Sequence, residues 1–404
     1  LSEIDLATFC DYSSLSTLNL QRNMIRYVVN TSTRKCRVYD TLTDLLLDRN
    51  MLTAVNMDLF HIFINLKVLN FHNNSIISLS GRLHHNKLTA LTLSRNKLDH
   101  VDLCGWYVPS MDTVSFASNY LTKAPECMNN WTSVSLLFLN NNKIANFNIE
   151  SVAGLYNLTL LDLQCNQLTE VMLNSALFPP NLELLDIQRN NLTSLDVSFI
   201  PVRSLNVNAP YNLISSFDKS NTSPNITELS MKGNPIDCSI DIAANSSISF
   251  LTILGSNLTS VPITLQNAKK LKGITITHSK LSEIDLATFC DYSSLSELNL
   301  ERNMIRYVHL DLCGWYVPSL NTLSIAANEL STVPECIHSW TRVTSLFLSQ
   351  NKLTKFSIES VACMNNLTWL ELQCNQLTEI TLNSARFPAK LELIDIRTNN
   401  LTSL

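Results

Sequence analysis

One eleven-residue template, LxxLxLxxNxL, recurs along the chain and restricts its fold more than any other feature. It reads LSTLNLQRNMI at 15–25, LTDLLLDRNML at 42–52, LKVLNFHNNSI at 66–76, LTALTLSRNKL at 88–98 and MDTVSFASNYL at 111–121. It continues at 134–144, 158–168 and 182–192, and returns at 295–305, 320–330, 343–353, 367–377 and 391–401. From Asn23 through Asn50, Asn74, Asn96, Asn119, Asn142 and Asn166 to Asn190, the interval is 22 to 27 residues. A fixed period of this length signals stacked supersecondary units. Within LxL the leucines point one way and their neighbours the other, so each unit supplies a short parallel strand. No single unit can bury its apolar side alone, so stability comes from contacts with the units before and after it.

The template resembles the leucine-rich repeat and covers nearly the whole chain. The resemblance implies an α/β solenoid: a leucine-rich-repeat horseshoe with a concave parallel β-sheet and a convex side of loops, 3-10 turns and short helices. It also implies a ladder in which the asparagine amide, donor and acceptor at once, ties together backbone groups of adjacent coils. Residues 1–404 read as a single solenoid of about 16–17 repeats without caps: regular at 1–195, degenerate at 196–280, duplicated at 281–404. In the degenerate stretch Pro210 stands near the asparagine slot, and Asn234 is followed by Pro235. Ser256 and Ser279 occupy the slot itself, where a hydroxyl does part of the same work. GNPIDC (233–238) is similar to the opening of a cysteine cap, but repeats continue beyond it, so Cys238 reads as free or locally paired.

The duplication is literal. Residues 1–28 recur at 281–308 with two changes, and 102–195 align with 311–404 without a gap. The two offsets, 280 and 209 residues, differ by about three repeats, as exchange of whole coils would leave them. Leu1 matches Leu281, the last template leucine of LKGITITHSKL, so the sequence enters in mid-coil, as a trimmed chain would.

Composition excludes several function classes. A net charge of -5 argues against nucleic acid, which needs a basic stripe. No apolar run approaches the roughly 20 residues that span a bilayer. With seven glycines there is no phosphate-cradling Gly-rich loop. No CxxC occurs, and His84, His85 and His278 do not join cysteines at ligand spacing, so neither metal nor cofactor is expected.

Eleven cysteines and many sequons bear on compartment. Cys104 and Cys127 each follow a ladder asparagine by eight residues, which places them in one slot of consecutive coils, near the Cα separation a disulfide needs. Cys313 and Cys336 stand in the same relation, so two bridges are expected, the alternative being stacked buried thiols. Cys10 and Cys36 lie about one repeat apart and can pair; Cys165 and Cys374 are expected reduced; Cys290 and Cys363 stay open. Glycosylation sequons begin at Asn30, Asn73, Asn130, Asn157, Asn191, Asn221, Asn225, Asn245, Asn257, Asn366 and Asn400. Asn157, Asn225 and Asn366 share one slot just before the strand. Cysteines and sequons together point to an extracellular, secreted chain.

Asp162, Asp186, Glu371 and Asp395 occupy the outward position of LxL and could form carboxylate pairs. An open, solvated sheet is a poor place to raise a pKa, and no nucleophile joins them, so no enzyme is expected. Binding is the better use of that face. Val68, Leu136, Phe138, Leu160 and Leu184 in the first half, and Phe347, Trp369 and Leu393 in the second, put apolar side chains where the core does not need them. Asp44, Asp48, Arg49, Arg189, Glu301, Arg302 and Arg397 would orient a protein partner. Trp106, Trp131, Trp315 and Trp340 lie off the strands and are expected to fill the convex side.

The Gly-poor, Asn/Ser/Thr-rich coils, with RSLNVNAPYNLISSF (203–217) and LTILGSNLTSV (251–261), are similar in style to the leucine-rich immune (LRIM-type) proteins of mosquitoes. That resemblance implies a secreted innate-immune factor acting on complement-like or pathogen-derived proteins. Two features of those proteins, a cysteine-rich C-terminal cap and a coiled-coil tail, are missing here, and no binding residue carries over position by position. The alternative is a Toll-like receptor ectodomain that binds a protein or peptide. Uncapped terminal coils would expose core leucines and favour a homo- or heterodimer.

Overall fold

The computed structural model describes residues 2–216, 223–236, 242, 246–262, 265, 267–289, 292–309, 319–333, 341–362, 364–382, 384 and 386–402. It is a leucine-rich-repeat solenoid divided into two compact units, Leu1–Leu192 with Phe199–Asn208, and Thr193–Ser198 with Ala209–Leu404.

In the first unit one parallel ladder carries nine strands: Thr17–Asn19, Asp44–Leu46, Val68–Asn70, Ala90–Thr92, Thr113–Ser115, Leu136–Phe138, Leu160–Asp162, Leu184–Asp186 and Leu205–Asn208. In the second unit Ile226–Ser230, Phe250–Leu254, Gly273–Thr277, Glu297–Asn299, Thr322–Ser324, Ser345–Phe347, Trp369–Glu371 and Leu393–Asp395 pair in the same parallel sense. The register always sets a template leucine beside its counterpart: Leu137 faces Leu161, which faces Leu185. Leu137, Leu161 and Leu185 are fully buried, and each contributes about 1.5–3 kcal/mol by leaving water. Behind the ladder lie two-stranded sheets, such as Asn146–Asn148 with Glu170–Met172, and 3-10 turns such as Ile149–Val152. Among the described residues the returning segments contain 3-10 turns and no α-helix, because coils of this length leave room for a single turn on the way back.

The asparagine sits at the exit from each main strand. Asn142, 7 % exposed, accepts from Leu121 N–H at 3.0 Å and donates to the carbonyls of Phe116 (3.0 Å) and Leu139 (2.9 Å). Asn96, Asn119, Asn166, Asn190, Asn303, Asn328, Asn351 and Asn375 repeat this threefold tie. Ser256 and Ser279 fill the slot with hydroxyls 2.7 Å apart. The residue before each slot turns left-handed, with φ near 55° at Arg22, Arg49, Arg95, Ser118 and Arg302. Gly233, at φ 70°, also lies under the Tyr211 ring, where an added Cβ would come within 2.6 Å.

The degenerate stretch keeps its register and lengthens its strands to five residues at Ile226–Ser230, Phe250–Leu254 and Gly273–Thr277. Cys104 is bonded to Cys127, with Cα atoms 5.0 Å apart, and Cys10 to Cys36. Cys165 and Cys374 are free thiols. Cys238, Cys290, Cys313, Cys336 and Cys363, with Asn221, Asn245, Trp315 and Trp340, lie outside the described residues. Trp106 and Trp131 stack at 6.1 Å in the buried layer behind the ladder.

Replacing Asn142 by alanine strands Leu121 N–H, while Phe116 O keeps its bond from Asn119 and Leu139 O its bond from Asn166, and should cost about 2 kcal/mol. Asn142→Ser should cost less, since serine fills the slot elsewhere. Urea unfolding followed by circular dichroism measures both; equal losses would show that one hydroxyl cannot substitute even in part.

A candidate binding surface on the main sheet

The outward residues of each strand are free of the core, and three of them line up in the first unit. Leu136 pairs with Leu160 and Leu160 with Leu184, all half-buried, and Phe138 stands two residues along from Leu136. Strand spacing of about 4.8 Å puts the leucines in contact range. Val68 does not join them: its register neighbours are Asp44 and Ala90. The second unit repeats the patch through its copied sequence. Phe347, Trp369 and Leu393 are the counterparts of Phe138, Leu160 and Leu184, while Ser345 replaces Leu136. The Phe347 and Trp369 rings meet edge to face at 5.8 Å. Trp369 faces Leu393 in register, and both are 43 % exposed.

Sequence reasoning passed over Phe250, which is also 43 % exposed on this face. Its ring lies over Gly273, where a Cβ would approach to 2.8 Å. The visible signal was an aromatic beside LTIL with glycine in the paired position one coil later.

Beside the first patch runs a polar network. Gln164 Nε2 donates to Asp162 at 3.0 Å, Gln188 Nε2 to Gln164 Oε1 at 3.1 Å and to Asp186 at 3.0 Å, and Asn208 Nδ2 to Asp186 at 3.0 Å. Here the expectation of solvated carboxylates fails. Asp162 is only 7 % exposed, and burial raises its pKa above the ordinary aspartate value, against the hydrogen bonds from Gln164 and with help from Asp186. Asp48, expected to orient a partner, is likewise buried at 8 % exposure, with Asn70 Nδ2 at 3.3 Å. In the second unit Gln373 Nε2 donates to Glu371 at 2.9 Å, and Arg397 forks onto Asp395, holding that carboxyl below the usual range.

Of the described sequon asparagines, Asn73, Asn130, Asn157, Asn191, Asn257 and Asn400 are exposed, while Asn30, Asn225 and Asn366 are half-buried. Asn366 is engaged twice, donating to Thr341 O at 3.0 Å and accepting from Lys390 Nζ at 2.7 Å. Among the described residues no cluster of three or more His, Cys, Asp or Glu could hold a metal ion, and no helix is long and apolar enough to cross a membrane.

The family model for the leucine rich repeat matches residues 318–377. No curated protein matches the chain in sequence. Among solved structures, YopM from Yersinia enterocolitica is 22% identical with a TM-score of 0.63, covering 99% of this chain and 79% of its own. The APL1 leucine-rich repeat domain is 17% identical, TM-score 0.59, covering 90% and 86%. The functional domain of InlJ from Listeria monocytogenes, which includes a cysteine ladder, is 20% identical, TM-score 0.54, covering 90% and 69%. At these identities the likeness is one of fold alone.

Because the protonated form of Asp162 is favoured in the folded chain, this group stabilises the fold fully below the ordinary aspartate pKa. That contribution is lost as pH rises through the raised value. Gln164→Ala removes a hydrogen bond that favours the carboxylate and should raise the Asp162 pKa further, as a carboxyl-carbon NMR titration would read. A downward shift would show that Gln164 acts on Asp162 more by covering it from water than by donating to it.

Proposed function

We propose that this chain is a secreted, non-catalytic scaffold of innate immunity, which takes a protein partner, complement-like or pathogen-derived, on the outer face of its main sheet. The observation that carries the reading is the repetition of one apolar patch, Phe138, Leu160 and Leu184 in one unit and Phe347, Trp369 and Leu393 in the other. Half-exposed aliphatic and aromatic side chains in a contiguous row are costly in water and are the usual anchors of protein interfaces. The disulfides Cys10–Cys36 and Cys104–Cys127 support an oxidising, extracellular compartment. The exposed sequons, Asn157 among them, are compatible with it. Leucines and phenylalanines beside carboxylates, with no histidine joining them among the described residues of either patch, favour adhesion over chemistry.

Affinity capture from extracellular fluid tests this, with wild-type chain beside Leu160→Glu and Trp369→Glu variants. Both positions are half-exposed, so the variants should melt within about 2 °C of wild type. A partner recovered by wild type should be lost or reduced at least tenfold by the variants. Recovery unaffected by either charge would place the interface elsewhere.

A further inference from the structure

The first unit has a second feature, separate from its apolar patch. Arg22, Arg49 and Arg95 each stand just before a ladder asparagine, with φ of 55°, three residues past the ends of strands that pair in sequence, with the Val68–Asn70 strand between the last two. All three positions turn left-handed, and all three side chains are exposed. None of the guanidiniums has an ion-pair partner among the described residues. Asp48, which directly precedes Arg49, is buried and accepts from Asn70 Nδ2 at 3.3 Å. The result is a row of three exposed guanidiniums at the strand exits of one ladder, none held in an ion pair among the described residues.

Between this row and the patch the face is low. Ala90, Thr92, Thr113, Ser115 and Ala117 present small, half-buried side chains, and the Ser94 and Ser115 hydroxyls satisfy each other at 2.6 Å. From the strand of Arg49 to that of Leu160 is five strand spacings, roughly 24 Å. An extended chain covers that distance in about seven residues.

We infer that the first unit binds an extended segment of another protein, in which a cluster of acidic side chains lies about seven residues from an aliphatic or aromatic cluster. The acids meet Arg22, Arg49 and Arg95, the small-residue strip lets the backbone pass, and the apolar cluster seats on Leu136, Phe138, Leu160 and Leu184. Charge complementarity sets direction and register, while the apolar contact supplies affinity. Nucleic acid is a poorer match, since Asp162 and Asp186 border the patch and would repel phosphates there. This inference rests on the binding role proposed for that patch.

The test uses fluorescein-labelled peptides with an acidic block, a Ser/Gly spacer and a Leu-Phe-Leu block, made in both chain directions, beside versions carrying serine or lysine in place of the acids. Asn73 begins a sequon within the arginine row, so the full chain is produced without N-glycans. By fluorescence anisotropy at low salt, one acidic peptide should bind at least about tenfold tighter than its serine version. Raising the salt should shrink that gap. Arg49→Glu with Arg95→Glu should abolish the preference, and Leu160→Asp should weaken acidic and serine peptides alike. Equal binding of acidic, serine and lysine peptides overturns the inference while the patch stands, provided Leu160→Asp still weakens all three. Binding that depends on the arginines but ignores Leu160→Asp overturns the patch reading as well. No binding of either acidic peptide overturns the inference outright.

Discussion

A carboxamide that accepts from one coil while donating to the carbonyls of its own coil and of the coil before is the interaction on which this architecture depends. Parallel strands of three residues are too short to satisfy the backbone where the chain leaves the sheet, and the interior there is closed to water. Asn142 closes that gap with one acceptor and two donor contacts, and its equivalents do so coil after coil. The left-handed residue just before it is part of the same device. It costs about 1–2 kcal/mol at each non-glycine position, an expense the buried hydrogen bonds offset. Where serine takes the slot, at Ser256 and Ser279, the hydroxyls bond to each other and the neighbouring strands grow to five residues. More ladder hydrogen bonds then accompany the loss of amide bonds.

Because the ladder and the leucines carry stability between them, the outward positions are released from structural duty. Duplication of whole coils copies the outward residues with the inward ones, so the patch of Phe138, Leu160 and Leu184 reappears as Phe347, Trp369 and Leu393. Exchange of Leu160 for Trp369 and of Leu136 for Ser345 changes the chemistry of the face and leaves the fold alone. The arginine positions have a similar origin. The left-handed position beside the ladder is exposed at Arg22, Arg49 and Arg95, so a long charged side chain fits there outside the core.

Much of this was legible before any coordinates. Period, strand direction, the identity of the inward residues and the slot of Cys104 and Cys127 all follow from side chains that alternate every two residues within a fixed repeat. The carboxylates were not legible. Asp162 and Asp186 have the same sequence surroundings, LxLLDxQ, yet only Asp162 is buried below a tenth of its surface. Nothing local distinguishes them; the side chains of neighbouring coils do. Asp48 was misjudged for the same reason, since its burial reflects packing across coils, with Asn70 one strand away. Val68 looked like a member of the apolar row until register set it between Asp44 and Ala90.

Sequence alone therefore determined the solenoid, because a repeat that cannot bury its own leucines has only its copies to bury them against. It also determined which residues face outward, because alternation along a strand admits two sides only. The tertiary structure decided which of those outward residues are neighbours, which are buried by the coils beside them, and how far the arginines stand from the leucines. Those are distances across the stack, set by strand register, and contacts between residues more than twenty positions apart are not written in the local sequence of either one.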